Sequence, residues 1–418
     1  MTILEETIFE ALQQGDLAAI EAQLDDFLVN GTPDVQYAFA EGCLQLGFMA
    51  QADQVFEHLQ FLFPEEAQLK IDRAQVQMEL GDEDTALDLL MDITEEAPEY
   101  PQALLVLADY YQMQGLYEVA EQRLNEALQL LPEEPLLHFA KAELLVEIGR
   151  FTEAARLYEE LYTQQQTFAG VNLAARLAEV YRAGAAYETA LDYYMKALEE
   201  DVTADLLFGS AYAAFQTEKY DTAITQLEDL KELDPDYFSA YLLLAQSYGM
   251  LEQNDKAYKA IKDGITRDEY DKSLFLYAGK MALKNQLPEE AIQHLQEALA
   301  LDPEYMEAAL VLMSIYAQQE RDEDVIALYN DLKRDDFEWT ALYPFVAKAH
   351  VNLEEYAEAA TFYAEAYRDH EEDANFLEEY AYFLLEEGRR DEAKAIVEKL
   401  IALDPSDDRY VELQLSLD

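Results

Sequence analysis

The chain has 418 residues, 51% of them apolar, so it has ample material for a core but exceeds the usual size of one compact domain. Its 88 acidic and 28 basic residues give a formal charge of -60, which disfavours nucleic acid and anionic membrane surfaces as partners. A single cysteine excludes an internal disulfide framework, and no apolar run is long enough for membrane insertion.

Helix-forming residues dominate the sequence, which contains only 14 Gly and 11 Pro, so we expect an all-helical fold with no strand. The N-terminal segment places Glu5, Glu6 and Glu10 among apolar residues and lacks the basic start and apolar run of a secretory signal. Together with the single cysteine, this predicts a cytoplasmic protein.

A small residue recurs along the chain in steps of about 34 residues, apart from one gap of 68 in which Val325 occupies the intermediate place. It occurs at Ala52, Ala86, Ala120, Ala154, Ala190, Ala223, Ala257, Ala291, Ala359 and Ala393. Twelve residues before each of these stands another small residue: Ala40, Ala74, Ala108, Ala142, Ala178, Ala211, Ala245, Gly279, Ala347 and Ala381. Two small positions at this spacing predict a helix-turn-helix in which the two backbones approach closely.

In this repeat the sequence resembles the tetratricopeptide repeat (TPR) family, whose 34-residue unit has small residues at its eighth and twentieth positions and proline at its thirty-second. The resemblance implies an all-α, right-handed α-solenoid (superhelix) of about twelve helix-turn-helix units. These units begin near residues 1, 33, 67, 101, 135, 171, 204, 238, 272, 306, 340 and 374. The overall pattern also resembles the YpiA-type cytoplasmic TPR proteins of low-GC Gram-positive bacteria.

The repeat frame predicts one continuous solenoid with an atypical N-terminal cap at residues 1–32, where Ile8 and Ile20 occupy the small positions. Units 2–5 cover residues 33–165, and units 6–12 cover residues 166–405. Two extra residues and a polar run of three glutamines predict a seam near residues 163–170. Residues 406–418 are expected to form a tail or a cap.

The TPR resemblance implies that the first helices of the units line an inner face that binds a segment of another protein. The expected contact residues on this face are Tyr37, Glu41, Gln75, Asp109, Phe139, Glu143, Glu179, Phe208 and Tyr212. Acidic and apolar positions run side by side there, which predicts that the partner is a basic or amphipathic segment with alternating basic and apolar residues. The other interpretation is that the acids form only a solvated face.

A second feature is a basic island between Lys256 and Lys284, in which Lys280 and Lys284 occupy inner-face positions. Such an island either docks an acidic partner, including the acidic end of a second copy of the chain, or relieves repulsion within the array.

We find no motif for a phosphate loop, a histidine pair at ligand spacing or a catalytic triad, so the sequence predicts no cofactor, no metal site and no catalysis. Cys43 is expected to be a buried apolar residue. The leading prediction is therefore a protein-binding scaffold. Two alternatives stay open: a self-associating, homo-oligomeric structural element, and a regulatory subunit or enzyme whose carboxylate site forms only on folding.

The tenth unit breaks the small-residue pattern twice, with Met313 and Val325 at the two small positions. Larger side chains there should separate the two helices of this unit. Asp335, Asp336 and Phe337 replace the usual proline just beyond it, and Pro344 lies in an early turn of the next helix. Trp339 is expected to fill the resulting gap, the alternative being an exposed docking anchor.

Overall fold

The computed structural model describes residues 2–333, 339–405 and 407–417. Within these ranges, 25 α-helices follow one another, and the first 24 form twelve consecutive helical pairs. The chain divides into two compact units, Met1–Val202 and Thr203–Asp418, which are called here the first and second units. The predicted all-α repeat fold is confirmed.

The first unit contains twelve helices and one short hairpin. They are α1 Ile3–Gln14, α2 Leu17–Asn30, α3 Pro33–Gln45, α4 Met49–Leu62, α5 Ala67–Leu80, α6 Glu83–Met91, α7 Tyr100–Met113, α8 Tyr117–Leu130, α9 Pro135–Glu147, α10 Phe151–Gln164, β1 Thr167–Phe168, β2 Val171–Asn172, α11 Leu173–Ala183 and α12 Tyr187–Glu200.

The second unit contains the remaining helices. They are α13 Ala204–Gln216, α14 Tyr220–Leu233, α15 Ser239–Met250, α16 Asn254–Ile265, α17 Lys272–Lys284, α18 Pro288–Leu301, α19 Met306–Gln318, α20 Asp322–Leu332, α21 Tyr343–Asn352, α22 Tyr356–Ala366, α23 Ala374–Glu386, α24 Arg390–Leu403 and α25 Asp408–Leu417, with a 3-10 turn at Thr340–Leu342.

Small residues let the paired helices approach, as the 34-residue pattern predicts. Ala108 on α7 and Ala120 on α8 are both buried, and the two helices pack together along their length. Several first helices also contact the first helix of the neighbouring pair, as α5 contacts α7 and α7 contacts α9. Within each of the two compact units, the first helices of successive pairs therefore lie side by side and form one face.

The turn inside each pair needs a residue with a left-handed backbone. Gly115 occupies it between α7 and α8 with φ 71°, a conformation that glycine adopts without steric cost. In several later pairs a non-glycine residue takes the same conformation, as Glu320 does with φ 56° between α19 and α20. Such residues carry local strain, which the packing of the two helices must offset.

The expectation of no strand is wrong at one place. Thr167–Phe168 and Val171–Asn172 form an antiparallel hairpin between α10 and α11, where the sequence predicts only a longer polar connection. Ala169 and Gly170 form its tight turn, with φ 48° and 81°. The connection between the two helices therefore forms a hairpin, in which Thr167 pairs with Asn172 and Phe168 pairs with Val171. A proteolytic seam at this position stays a prediction.

The tenth pair agrees with the expected loosening. Met313 and Val325 are fully buried, and the backbones of α19 and α20 approach at fewer points than those of the other described pairs. Trp339 is only 2% exposed, so its predicted packing role is confirmed. Pro344 lies in the first turn of α21, which the 3-10 turn delays to Tyr343. Asp335, Asp336 and Phe337 lie outside the described residues.

Both ends of the described chain are held by local interactions. The Thr2 hydroxyl accepts from the Glu5 backbone N–H, and the Glu5 carboxylate accepts from the Thr2 N–H, which closes a capping box at the start of α1. At the other end, α25 packs against α24 and buries Tyr410. In the described part of the chain, no helix combines the length and apolar character needed to cross a bilayer.

Candidate functional site

A groove runs along the face formed by α5, α7 and α9 in the first unit. Two adjoining cavities of about 790 and 350 Å³ share Leu105, Asp109 and Leu136, so they form one continuous depression. We call it the first-unit groove and define it by Gln75, Leu105, Asp109, Leu136, Phe139 and Glu143. The structure thus brings together four of the predicted contact residues: Gln75, Asp109, Phe139 and Glu143.

Asp109 is the acidic residue at the centre of this groove. Its side chain is accessible, yet it makes no hydrogen bond or ion pair with any described residue. The helices around the depression displace part of its water shell, and this desolvation raises the pKa of Asp109 to about 6. At neutral pH the groove therefore holds a carboxylate whose charge nothing in the described chain neutralises.

Glu143, one pair further along, is neutralised within the chain. The Arg176 guanidinium donates from Nε to Glu143 Oε1 at 2.9 Å and from Nη2 to Oε2, and the Tyr158 hydroxyl also donates to Oε1. Burial, followed by this bond to Glu143, raises the pKa of Tyr158. Glu143 is thus a positioned ion-pair partner whose side chain is 32% exposed.

Glu179 on α11 has a similar arrangement and does not line the groove. It accepts from Arg182 Nη2 at 2.5 Å and from the Tyr194 hydroxyl. The sequence predicts a row of equivalent acids, but the structure divides them. Asp109 carries an unpaired charge, whereas Glu143 and Glu179 each hold an arginine.

Tyr37 and Glu41 lie on α3, outside the cavities that define the groove. Tyr37 packs edge-on against Phe56, and its hydroxyl donates to Asp72 Oδ2 at 2.7 Å on α5. Burial raises the pKa of Asp72, while the bonds from Tyr37 and Gln68 oppose that rise. Tyr37 therefore ties two neighbouring first helices together, and Glu41 is an exposed acid on the same helix.

Phe139 forms the apolar wall at one end of the groove. Its ring lies 5.9 Å from Tyr158 and 5.2 Å from Phe168, which is carried by the hairpin. The hairpin thus supports the groove, a role that the sequence did not indicate.

The remaining predicted contact residues lie in the second unit. Phe208 packs against Tyr237 with ring centroids 5.1 Å apart, and Tyr212 is half-buried on the same helix. Lys280 Nζ lies 2.5 Å from Glu307 Oε1. Lys284 is exposed and has no partner among the described residues.

Most of the basic island is neutralised by acids of the same unit. Arg267 pairs with Asp236 at 3.1 Å, and Lys272 pairs with Asp302 at 2.5 Å. Most of these cations therefore offset the repulsion between neighbouring helices, which was the simpler of the two predicted roles.

Sequence reasoning missed the arginines that hold two of the predicted acids. The Glu179–Arg182 pair was detectable, because residues three apart on a helix are neighbours. The Glu143–Arg176 pair joins helices of different repeats, so no local spacing marks it. Leu136 and Glu147 also line the groove, at inner positions that the repeat frame includes but that carry no distinctive residue type.

The described residues offer neither a metal-binding cluster nor an exposed thiol. Within the described ranges, no cluster of three or more His, Cys, Asp and Glu side chains could hold a metal ion. Cys43 is fully buried, as expected, and burial raises the pKa of its thiol to about 12. A neutral, inaccessible thiol is a poor nucleophile.

Repeated helical pairs with a groove along their first helices define a TPR protein, a class whose members generally bind other proteins. A family model described as YpiA-like tetratricopeptide repeats matches residues 112–166, and a model described as YpiA-like C-terminal tetratricopeptide repeats matches residues 342–407. General tetratricopeptide repeat models match residues 71–135 and 282–349. The TPR repeat-containing protein YpiA of Bacillus subtilis (strain 168) is 39% identical over 372 residues, which cover 89% of this chain and 88% of that protein. The chain therefore belongs to the YpiA-like family of TPR proteins.

Solved structures give weaker likenesses. The C-terminal part of a TPR repeat-containing protein from Cytophaga hutchinsonii is 16% identical, with a TM-score of 0.45, over 66% of this chain and 98% of that one. YrrB, described as a TPR protein with an unusual peptide-binding site, is 20% identical, with a TM-score of 0.39, over 44% of this chain and 95% of that one.

Proposed function

We propose that the chain is a non-catalytic, cytoplasmic scaffold whose first-unit groove binds a basic or amphipathic segment of a partner protein. The observation that carries the proposal is Asp109, an unpaired and partly desolvated carboxylate at the centre of a groove with apolar walls. Such a charge opposes folding, because its raised pKa means that the fold disfavours the ionised form. Binding sites are where proteins commonly retain such groups.

The walls of the groove define what else the partner must present. Leu105, Leu136 and Phe139 provide apolar contacts beside Asp109, so a segment with one lysine or arginine between apolar residues would fit. The formal charge of -60 adds a long-range field that accelerates encounter with basic segments. The partner class is therefore basic peptide rather than nucleic acid.

The test uses a synthetic basic amphipathic peptide with alternating lysine and leucine, whose affinity for the full chain is measured by fluorescence anisotropy. We expect Asp109→Lys to weaken binding about tenfold, since the change replaces an attraction with a repulsion inside the groove. Glu118→Lys is the matched control, because Glu118 is an exposed acid in the first turn of the second helix of the same pair. Both variants change the net charge equally.

Equal weakening by the two variants would assign the attraction to the overall field and refute the groove. Reversing all four predicted acids, Glu41, Asp109, Glu143 and Glu179, is a poorer test. Arg176 and Arg182 would then each face a lysine, and loss of binding would be confounded with unfolding. Circular dichroism should show an unchanged helical signal for both single variants.

A further inference from the structure

The second unit has a groove of its own along α13, α15, α17 and α19. It is a depression of about 680 Å³, which we call the second-unit groove. Five of its ten described lining residues have apolar side chains, namely Phe215, Met250, Met281, Leu283 and Val311. Its charged lining residues are Lys280 and Lys284.

The sign of this groove is opposite to that of the chain as a whole. Acidic residues number 88 of 418, yet none of the ten described residues that line the second-unit groove is acidic. The first-unit groove, by contrast, contains Asp109, Glu143 and Glu147. An apolar floor with lysines and without carboxylates selects for negative charge.

The two lysines are not equivalent. Lys280 already has Glu307 as a partner at 2.5 Å, so little of its charge is available. Lys284 lies one helical turn further along α17, is exposed, and has no partner among the described residues. It is therefore the cation of this groove that a ligand can neutralise.

The residues at the floor of the second-unit groove are tightly packed. The Tyr277 hydroxyl lies 3.3 Å from the Ala245 carbonyl oxygen, to which it donates across two first helices. A Cβ added at Gly249 would lie 2.5 Å from this hydroxyl, so the ring reaches that position only because residue 249 is glycine. Beside it Met250 is 56% exposed, and methionine adapts its shape to varied apolar partners.

We propose that the second-unit groove docks an acidic amphipathic segment of a partner protein, with apolar side chains against Phe215, Met250 and Val311 and a carboxylate at Lys284. The chain would then have two binding grooves of opposite sign, and this second assignment does not depend on the function proposed for the first. A second copy of the chain is disfavoured as the occupant, because two molecules of formal charge -60 repel each other.

The experiment uses a pair of fluorescent amphipathic peptides, each about four helical turns long, with the same leucines and either glutamate or lysine at the polar positions. Their affinity for the full chain is measured in buffer of roughly physiological ionic strength, where distant charges are screened. We expect Lys284→Glu to weaken binding of the glutamate peptide about tenfold. Lys259→Glu, an equal charge change at an exposed lysine on α16, should weaken it less than about twofold.

Lys284→Gln provides a second variant that removes the charge without placing an acid in the last turn of α17. This variant should weaken binding of the glutamate peptide by a factor between those of Lys259→Glu and Lys284→Glu. Glu118→Lys, a charge change at an exposed residue outside both grooves, should alter the affinity for the glutamate peptide by less than about twofold.

Absence of glutamate-peptide binding, or equal weakening by the variants at Lys284 and Lys259, would overturn the proposal. Light scattering of the chain without peptide tests whether a second copy of the chain occupies the groove. A mass that doubles with protein concentration and returns to the monomer value in Lys284→Glu would assign the groove to a second copy instead of a partner.

Discussion

Replacing Arg176 by methionine should lower stability and strengthen binding of a basic peptide at the same time. Methionine retains much of the apolar stem of arginine but removes the guanidinium that holds Glu143. The Glu143 carboxylate, which lines the first-unit groove, would then join Asp109 as a second unpaired charge. The two effects have opposite signs, so a general disruption of the fold cannot imitate them.

The magnitude follows from the exposure of the pair. The side chains of Arg176 and Glu143 are 29% and 32% exposed, between the surface and the interior. Exposed pairs contribute up to about 1 kcal/mol, and breaking a buried pair costs about 3–5 kcal/mol, so we expect a loss of about 2 kcal/mol. The freed carboxylate should tighten binding of the lysine-leucine peptide about two- to fivefold.

Hydrogen exchange of amides in α9 and α11 is the appropriate stability assay, because repeat arrays need not unfold as one cooperative unit. A double-mutant cycle with Glu143→Gln isolates the coupling between the two side chains. Arg182→Met is the matched control, since it frees Glu179, which does not line the groove. It should lower stability without increasing affinity. Unchanged exchange in Arg176→Met, or weaker peptide binding, would refute the reasoning.

Three further predictions follow from other contacts. Tyrosine hydroxyls donate to carboxylates throughout the chain, and burial with a neighbouring acid raises the pKa of Tyr193 and of Tyr248 to about 12. Because these folded-state values exceed the unfolded value near 10, their contribution to stability is complete below about pH 10 and is lost between about pH 10 and 12. Circular dichroism against pH should show this loss, and an unchanged signal through pH 12 would contradict it. Gly279→Ala should destabilise α17 and α18 by about 1–3 kcal/mol, since the new Cβ would lie 2.8 Å from Leu295 Cγ in a buried site. Urea unfolding measures this loss, and an unaltered unfolding curve would show that Leu295 moves aside without cost. Limited proteolysis should cut first within residues 163–170, where the chain leaves helical structure, and earlier cutting elsewhere would disprove the seam.

The repeat and its helical pairs were predictable because their causes are local. Alanine at two positions twelve residues apart permits two helices to touch, and Ala108 and Ala120 are buried as that spacing requires. The departure at Met313 and Val325 was predictable for the same reason, since larger side chains at the crossing keep backbones apart. The hairpin was not, because two residues on each side of a tight turn leave no periodic pattern.

The groove was predictable as a face, whereas the electrostatic state of each side chain on it was not. Repeat position alone places Gln75, Asp109, Phe139 and Glu143 on first helices, because helical periodicity decides which side of a helix a residue occupies. Whether a carboxylate there is free depends on which cation of a neighbouring repeat reaches it. Arg176 reaches Glu143, and no described side chain reaches Asp109.

The sequence by itself therefore determined the helical pairs, their order and the face that carries the candidate sites, since short-range sterics and periodicity control all three. Tertiary structure alone decided which charges on that face are available to a partner. Ion pairs between repeats depend on whether a long charged side chain of one helix reaches an opposite charge on a neighbouring helix. The contrast between paired Lys280 and unpaired Lys284 has the same origin. Both lysines lie on α17, and Glu307 on α19 pairs with Lys280 but not with Lys284.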